Sequence, residues 1–191
     1  MRFMLKFLQD TLLLWSSRWW IIVLFAALTV ITVVAFRQVG EEMKDLIGFL
    51  PFDLQTPITL EQINSQLPAY SEASRNIYAR FLAWDYAFPL FVSITLCLIL
   101  ARSLTTFYKL RSQNFTGSWL ILVPLNAAVM DWLENILFAL TVWVSPSWAS
   151  AAVMVKSIKV IFSVIISSSG VLIFALAMLI ISGLQRLRSS R

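Results

Sequence analysis

Uncharged, mostly apolar residues fill positions 19–36, close to the roughly 20 that a helix needs to cross the hydrocarbon of a bilayer. Similar blocks recur at 81–101, 119–144 and 152–183, and the pattern predicts an all-α bundle of four transmembrane helices in a single membrane domain, 1–191. The first block is long for the core of a secretory signal and is followed by a poor cleavage site, so it reads as retained. Ahead of it, residues 2–17 interleave Arg2, Lys6 and Asp10 with Phe3, Leu5, Phe7 and Leu8. Charges interrupt that run too often for a span, and an amphipathic helix lying in the membrane interface fits it better.

The polar stretch 37–80 is the one long connection. Met43, Leu46, Ile47 and Leu50 recur at helical spacing and predict a short amphipathic helix halted by Pro51. Thr59-Leu60-Glu61-Gln62 matches a capping box, in which hydroxyl and amide satisfy each other's exposed backbone donors. Pro68 closes that second short helix, and Ser71 is placed to cap the next one, which runs through Tyr78 into the membrane. Pro89 predicts a kink in the second span, because it supplies no N–H to the backbone ladder. The link 145–150 is so short that spans three and four must be antiparallel neighbours.

Charge orients the bundle. The arm before residue 19, the 102–117 loop and the tail after 183 are basic, whereas 37–80 carries Glu41, Glu42, Asp45, Asp53, Glu61 and Glu72 against Arg37, Lys44, Arg75 and Arg80. Four spans with both termini cytoplasmic place every basic segment on one side. The net charge of +5 therefore reads as topology and not as a nucleic-acid surface. Composition agrees: 59% of the 191 residues are hydrophobic and 13% charged, against about 45–50% and about 25% in soluble domains.

The sequence has no histidine and one cysteine, Cys97. This excludes His-ligated metal sites, His-based triads and an intramolecular disulfide. Any metal would need oxygen ligands, and acid–base chemistry would fall to carboxylates, Lys or Tyr. Neither a cofactor nor a metal is expected.

Ionisable residues inside a span cost at least about 2.5–3.5 kcal/mol at the bilayer centre, so those present ask for a reason. Asp85, Asp131 and Glu134 fall within expected spans, with Lys156 and Lys159 early in the fourth. Asp131, Glu134 and Asn135 share one helix face, and so do Lys156 and Lys159. The topology gathers all five charges in the outer half of the membrane or near its midplane. The lysines either meet the acidic face or snorkel to the surface. Two carboxylates so close in low dielectric are neutralised by the lysines, or one holds a proton. Tyr78 lies two turns before Asp85 on one face, Arg75 lies a further turn out, and Trp84, Phe88, Trp132 and Phe138 supply candidate walls. Asp85, Asp131, Glu134, Asn135, Tyr78, Lys156 and Lys159 are thus the candidate binding residues, and interhelical packing is the alternative role for each.

Together, Tyr78, Asp85, Phe88-Pro89, Pro124 and Asp131-Trp132-Leu133-Glu134-Asn135 resemble a pattern in small bacterial polytopic membrane proteins of about this length. The resemblance covers roughly 75–140, implies that these residues belong together in a bacterial inner-membrane protein, and carries no activity. Three functions follow from the residues themselves. The first is a binding or permeation site for a small lipid, metabolite or cation. The second is a non-catalytic subunit or assembly factor, with a membrane-protein partner or a second copy against its charged helices. The third is an enzyme using carboxylate acid–base chemistry on a lipid or isoprenoid.

Overall fold

The computed structural model describes residues 2–110, 119–160, 174–178, 180–181 and 183. Among them there is helix and no strand. The elements in chain order are α1 (Arg2–Ser16), α2 (Trp19–Ile47), α3 (Leu60–Gln66), α4 (Glu72–Leu110), α5 (Leu125–Trp143) and α6 (Ala149–Lys159), with single 3-10 turns between several of them. Three helical stretches among the described residues are long and apolar enough to cross a membrane: Trp19–Ile47, Glu72–Lys109 and Trp119–Trp143. Of the fourth expected span, 152–183, the described residues are 152–160, a helical stretch at 174–178, and 180, 181 and 183; the basic Arg111, Arg186, Arg188 and Arg191 lie outside the described residues.

The first membrane helix does not stop at Phe36. It continues through Arg37 and the acidic turn to Ile47, so the separate amphipathic helix expected from Met43 to Leu50 is the end of α2. No residue between 36 and 47 breaks a helix outright, and the apolar Met43, fully buried, gives the extension a face to pack. The stop is Gly48 and not Pro51. Its φ of +89° is a left-handed conformation that costs other residues dearly, and its N–H donates to the Lys44 carbonyl at 2.7 Å. Gly40 serves a different purpose on the same helix: a Cβ there would lie 2.8 Å from Leu54 Cδ1, so its bare backbone lets the following loop lie against α2.

The connection is therefore 48–71 and folds back over the end of the bundle. A 3-10 turn at Phe52–Leu54 buries Phe52, and α3 is capped by Thr59, whose side chain accepts from the Gln62 N–H while the Gln62 side chain accepts from the Thr59 N–H. The helix that follows, α4, spans 39 residues, about 58 Å at 1.5 Å per residue, and overhangs the expected 81–101 span at both ends. The third hydrophobic block is likewise not one continuous α-helix. Trp119–Leu122 forms a 3-10 turn, and α5 begins only after Pro124, whose ring and missing N–H suit a helix start and not an interior. Ser145 then accepts from the Ser147 N–H, and a Pro146–Trp148 turn sends α6 back along α5.

Two buried clusters hold these elements, one at each end. At the loop end, Phe36, Met43, Phe52, Ile63, Tyr70, Phe81 and Phe138 pack together. At the other end, Leu12 of α1 packs with Ile21, Leu98, Leu104, Ile121 and Met178. Arg102 ties α1 down by donating to the Ser16 and Ser17 carbonyls at 3.0 and 3.2 Å, which satisfies acceptors that a helix end leaves open. Phe3, Met4 and Phe7 remain exposed along α1.

A Cβ added at Gly48 meets no atom within 4 Å, so Gly48→Ala changes conformational preference and not packing. The variant is expected to lose about 1–2 kcal/mol of stability. SDS titration of the purified protein reads this as an earlier unfolding midpoint, and an unchanged midpoint would show that the left-handed cap contributes nothing.

Candidate functional site

Four elements meet at the loop end around Glu134, a fully buried carboxylate on α5. Its Oε1 accepts from Lys156 Nζ at 2.9 Å, and its Oε2 pairs with Lys159. Lys159 also reaches Asp131 Oδ1 at 2.8 Å. Spacings of i, i+3 on both helices put two acids on one face and two lysines on the other, and antiparallel packing brings the faces together. The lysines do not snorkel: Lys156 is 5% exposed. Its ammonium also donates to the Asp53 carbonyl at 2.7 Å and the Phe52 carbonyl at 3.4 Å, and it stands 5.7 Å from the centre of the Phe138 ring.

Those two carbonyls belong to the connecting loop, which brings in a residue that sequence reasoning missed. In the sequence Asp53 is one of many loop acids, yet its Oδ2 accepts from the Tyr78 hydroxyl at 2.5 Å, and its Oδ1 is buried with no hydrogen-bond partner. The available signal was Pro51-Phe52-Asp53-Leu54, an acid between two large apolar residues in an otherwise polar connection. Phe52 anchors the turn by stacking on Tyr70 at 4.8 Å and meeting Phe138 at 5.8 Å. Tyr78 is fully buried between the Phe81 and Trp143 rings, at 5.9 and 5.5 Å, and its hydroxyl is thereby aimed at the loop and not at Asp85.

Asp85 and Asn135 complete the group. Asp85, 7% exposed, lies within electrostatic reach of Asp53, Asp131 and Lys159. Asp85 lies about 20 Å along α4 from its start at Glu72. The Asn135 amide lies against Asp85 without closing a well-formed hydrogen bond. All seven residues singled out from the sequence are thus brought together, with Asp53 and Tyr70 added from the loop. Arg75, half-buried on α4, keeps its Nε out of solvent with no hydrogen-bond partner. Of the expected walls, Phe138 faces the cluster, whereas Phe88 packs on Phe36 at 5.3 Å. Trp132 donates to the Tyr86 carbonyl at 2.8 Å, next to the Asp85 carbonyl that Pro89 leaves without its usual donor. Trp84 is 42% exposed and is no wall at all.

Charge does not balance here. Four carboxyl groups (Asp53, Asp85, Asp131 and Glu134) share two ammonium groups. In the loop, the Asp53 carboxyl is pushed up to about 7, chiefly by burial and then by the negative charge of Glu134, against the opposing pull of Tyr78 and the two lysines. Burial, and then the charge of Asp53, also push the Tyr70 phenol far above its ordinary value, so it stays neutral. Among the described residues no three carboxylates or thiols are disposed to hold a metal ion. With more carboxyl groups than cations, the arrangement is one in which a carboxyl can hold a proton.

No family model matches the chain, and neither a curated protein nor a solved structure shows significant similarity to it.

Glu134→Gln leaves buried lysine charge uncompensated and is expected to destabilise the protein by about 3–5 kcal/mol. Adding Lys156→Met to Glu134→Gln should recover part of that loss in SDS titration, and a double variant less stable than the single would contradict the pairing. Asp53 sets a pH dependence of definite sign. Between about pH 4 and 7 the folded state retains a proton that the unfolded chain has released, so this contribution to stability is complete below pH 4 and lost as pH rises through 7. Asp53→Asn should flatten the fall in thermal midpoint across that window; a slope equal to that of the wild type would remove Asp53 as its source.

Proposed function

We propose that this chain is a four-span integral membrane protein, with both termini cytoplasmic, whose buried acid–lysine cluster binds protons in the outer half of the bilayer. The observation that carries the reading is the imbalance of four carboxyls over two lysines in a closed site. In low dielectric, carboxylates in excess of their cations are costly, and the direct relief is for at least one of them to hold a proton. The ammonium groups of Lys156 and Lys159 already pair with the Glu134 and Asp131 carboxylates, which favours a proton over a metal ion. The three long apolar helices support the membrane setting, and α6 leads into the hydrophobic block 161–183 that supplies a fourth crossing. The acidic turn at Glu41, Glu42 and Asp45 lies at the loop end, opposite Arg102 and α1, which supports the orientation. By its resemblance to small bacterial polytopic proteins, the membrane is the bacterial inner membrane.

A non-catalytic subunit is the second reading. Val23, Leu24, Val30, Ile31 and Val34 form an exposed stripe on α2, a surface that suits a partner helix as well as lipid.

Infrared spectroscopy of the protein in lipid nanodiscs, titrated between about pH 5 and 8, tests the proton site directly. The expected result is a buried carboxyl C=O stretching band that disappears as pH rises and is diminished in Asp53→Asn. A spectrum without any such band across the range would sink the proposal.

A further inference from the structure

The N-terminal helix α1 leaves a space against the bundle that no side chain fills. Leu8, Thr11, Leu12 and Trp15 recur at i, i+3, i+4 and i+7 and so share one face of α1, and Leu125, Ala128, Val129 and Trp132 repeat that spacing on α5. With Leu90 and Ile94 of α4, these two faces line a groove of about 390 Å³, within the roughly 300–1,000 Å³ of ligand sites. Ala128, 2% exposed, is the small residue on its floor. The rings beside it are held in place, Trp15 by stacking on Phe25 at 5.9 Å and Trp132 by its bond to the Tyr86 carbonyl. The Thr11 hydroxyl donates to the Phe7 carbonyl at 2.8 Å, so both side-chain donors of the lining are already bonded within the protein. Such a space offers water no partners, and left empty it forfeits dispersion contacts along three helices. At Leu8 and Leu125 the groove adjoins a second space of about 300 Å³ that reaches the exposed Trp119 and Asn126.

We propose that this groove binds an acyl chain of an anionic phospholipid, with the headgroup outside it at the basic end of the molecule. The inference rests on the membrane setting proposed above and is independent of the proton site. Size decides between a lipid chain and a protein helix. Two turns of a helix about 10 Å across fill roughly 850 Å³, more than twice the groove, whereas a hydrocarbon chain one methylene wide fits between the facing rows of side chains. Charge decides the class of lipid. Lys6, Arg18, Arg102 and Lys109 are exposed at this end, against Asp10 alone among the described residues, while Glu41, Glu42 and Asp45 lie at the other. Basic side chains beside a membrane surface attract anionic headgroups, and the cytoplasmic leaflet is where these are met. The exposed Phe3, Met4 and Phe7 put α1 itself in contact with the same hydrocarbon, so the chain enters the groove without leaving the bilayer.

The experiment is native mass spectrometry of the full chain in detergent, titrated with dioleoyl phosphatidylglycerol or with dioleoyl phosphatidylcholine. One phosphatidylglycerol per chain is expected, held at least about tenfold more tightly than phosphatidylcholine. Ala128→Phe fills the groove from its floor and Val129→Phe from its rim, and each is expected to weaken phosphatidylglycerol at least about tenfold. Val129 is 57% exposed, so its variant folds even where the buried Ala128→Phe does not. Val30→Phe, on the 62% exposed face of α2, is the control and should bind as wild type does. Equal binding of the two lipids, or phosphatidylglycerol binding that Val129→Phe leaves unchanged, overturns the site. A dimer that carries no lipid gives the groove to a second copy and overturns it as well. Alkaline extraction of membranes reads insertion separately: a chain that stays in the pellet but fails these tests loses the groove alone, and one that is released loses the membrane setting with it.

Discussion

Everything at the loop end depends on Glu134 being buried as a charge. A carboxylate removed from water needs cations and hydrogen-bond donors in fixed positions, since its desolvation is repaid only by near-complete pairing. Both of its oxygens meet a lysine, and each lysine then has hydrogen-bonding capacity left over. Lys159 turns to Asp131. Lys156 has no second carboxylate in reach and takes the carbonyls of Phe52 and Asp53 instead. The connection 48–71 is therefore fastened by the charge on α5 as much as by the burial of Phe52, and the free bend at Gly48 and the bare surface of Gly40 allow it to arrive there. Once the turn is fastened, Asp53 has one place to point, and Tyr78 meets it.

How much of this was legible in the sequence follows from the range of the interaction involved. The hairpin of α5 and α6 was legible because its register is local arithmetic. Asp131 and Lys159 each lie fourteen positions from Ser145, and Glu134 and Lys156 each lie eleven, so any tight antiparallel turn at Ser145 pairs them in that order. The capping box at Thr59 was legible for the same reason. What escaped was the loop. Nothing in the spacing around Asp53 distinguishes it from Glu41 or Glu61, because its role is set by Lys156, more than a hundred positions away. The continuous α2 escaped too, since charge at 37–45 signals the end of a membrane span without signalling the end of a helix. The position of Tyr78 on the Asp85 face of α4 is legible too, but its bond to Asp53 is not, for the ring sandwich that aims it involves Trp143 from another helix.

The remaining step concerns why the cluster holds more acid than it can pair. A lock between helices needs only balance: Glu134 and Asp131 with the two lysines would fasten α5 to α6 with no charge left over. Asp53 and Asp85 upset that balance from two other elements, and neither is required to close the hairpin. An apolar or amide residue at either position would pack the same space without adding a charge to desolvate. Local rules broken without a structural return mark the places where a sequence serves something other than its own stability. Here the rule broken is electroneutrality in low dielectric, and the simplest quantity that restores it on demand is a proton. Lys156, which neutralises the fully buried Glu134, also borders a cavity of about 270 Å³ between the loop and α6. The same ammonium thus fastens the loop and compensates the buried charge, and neither can change without the other.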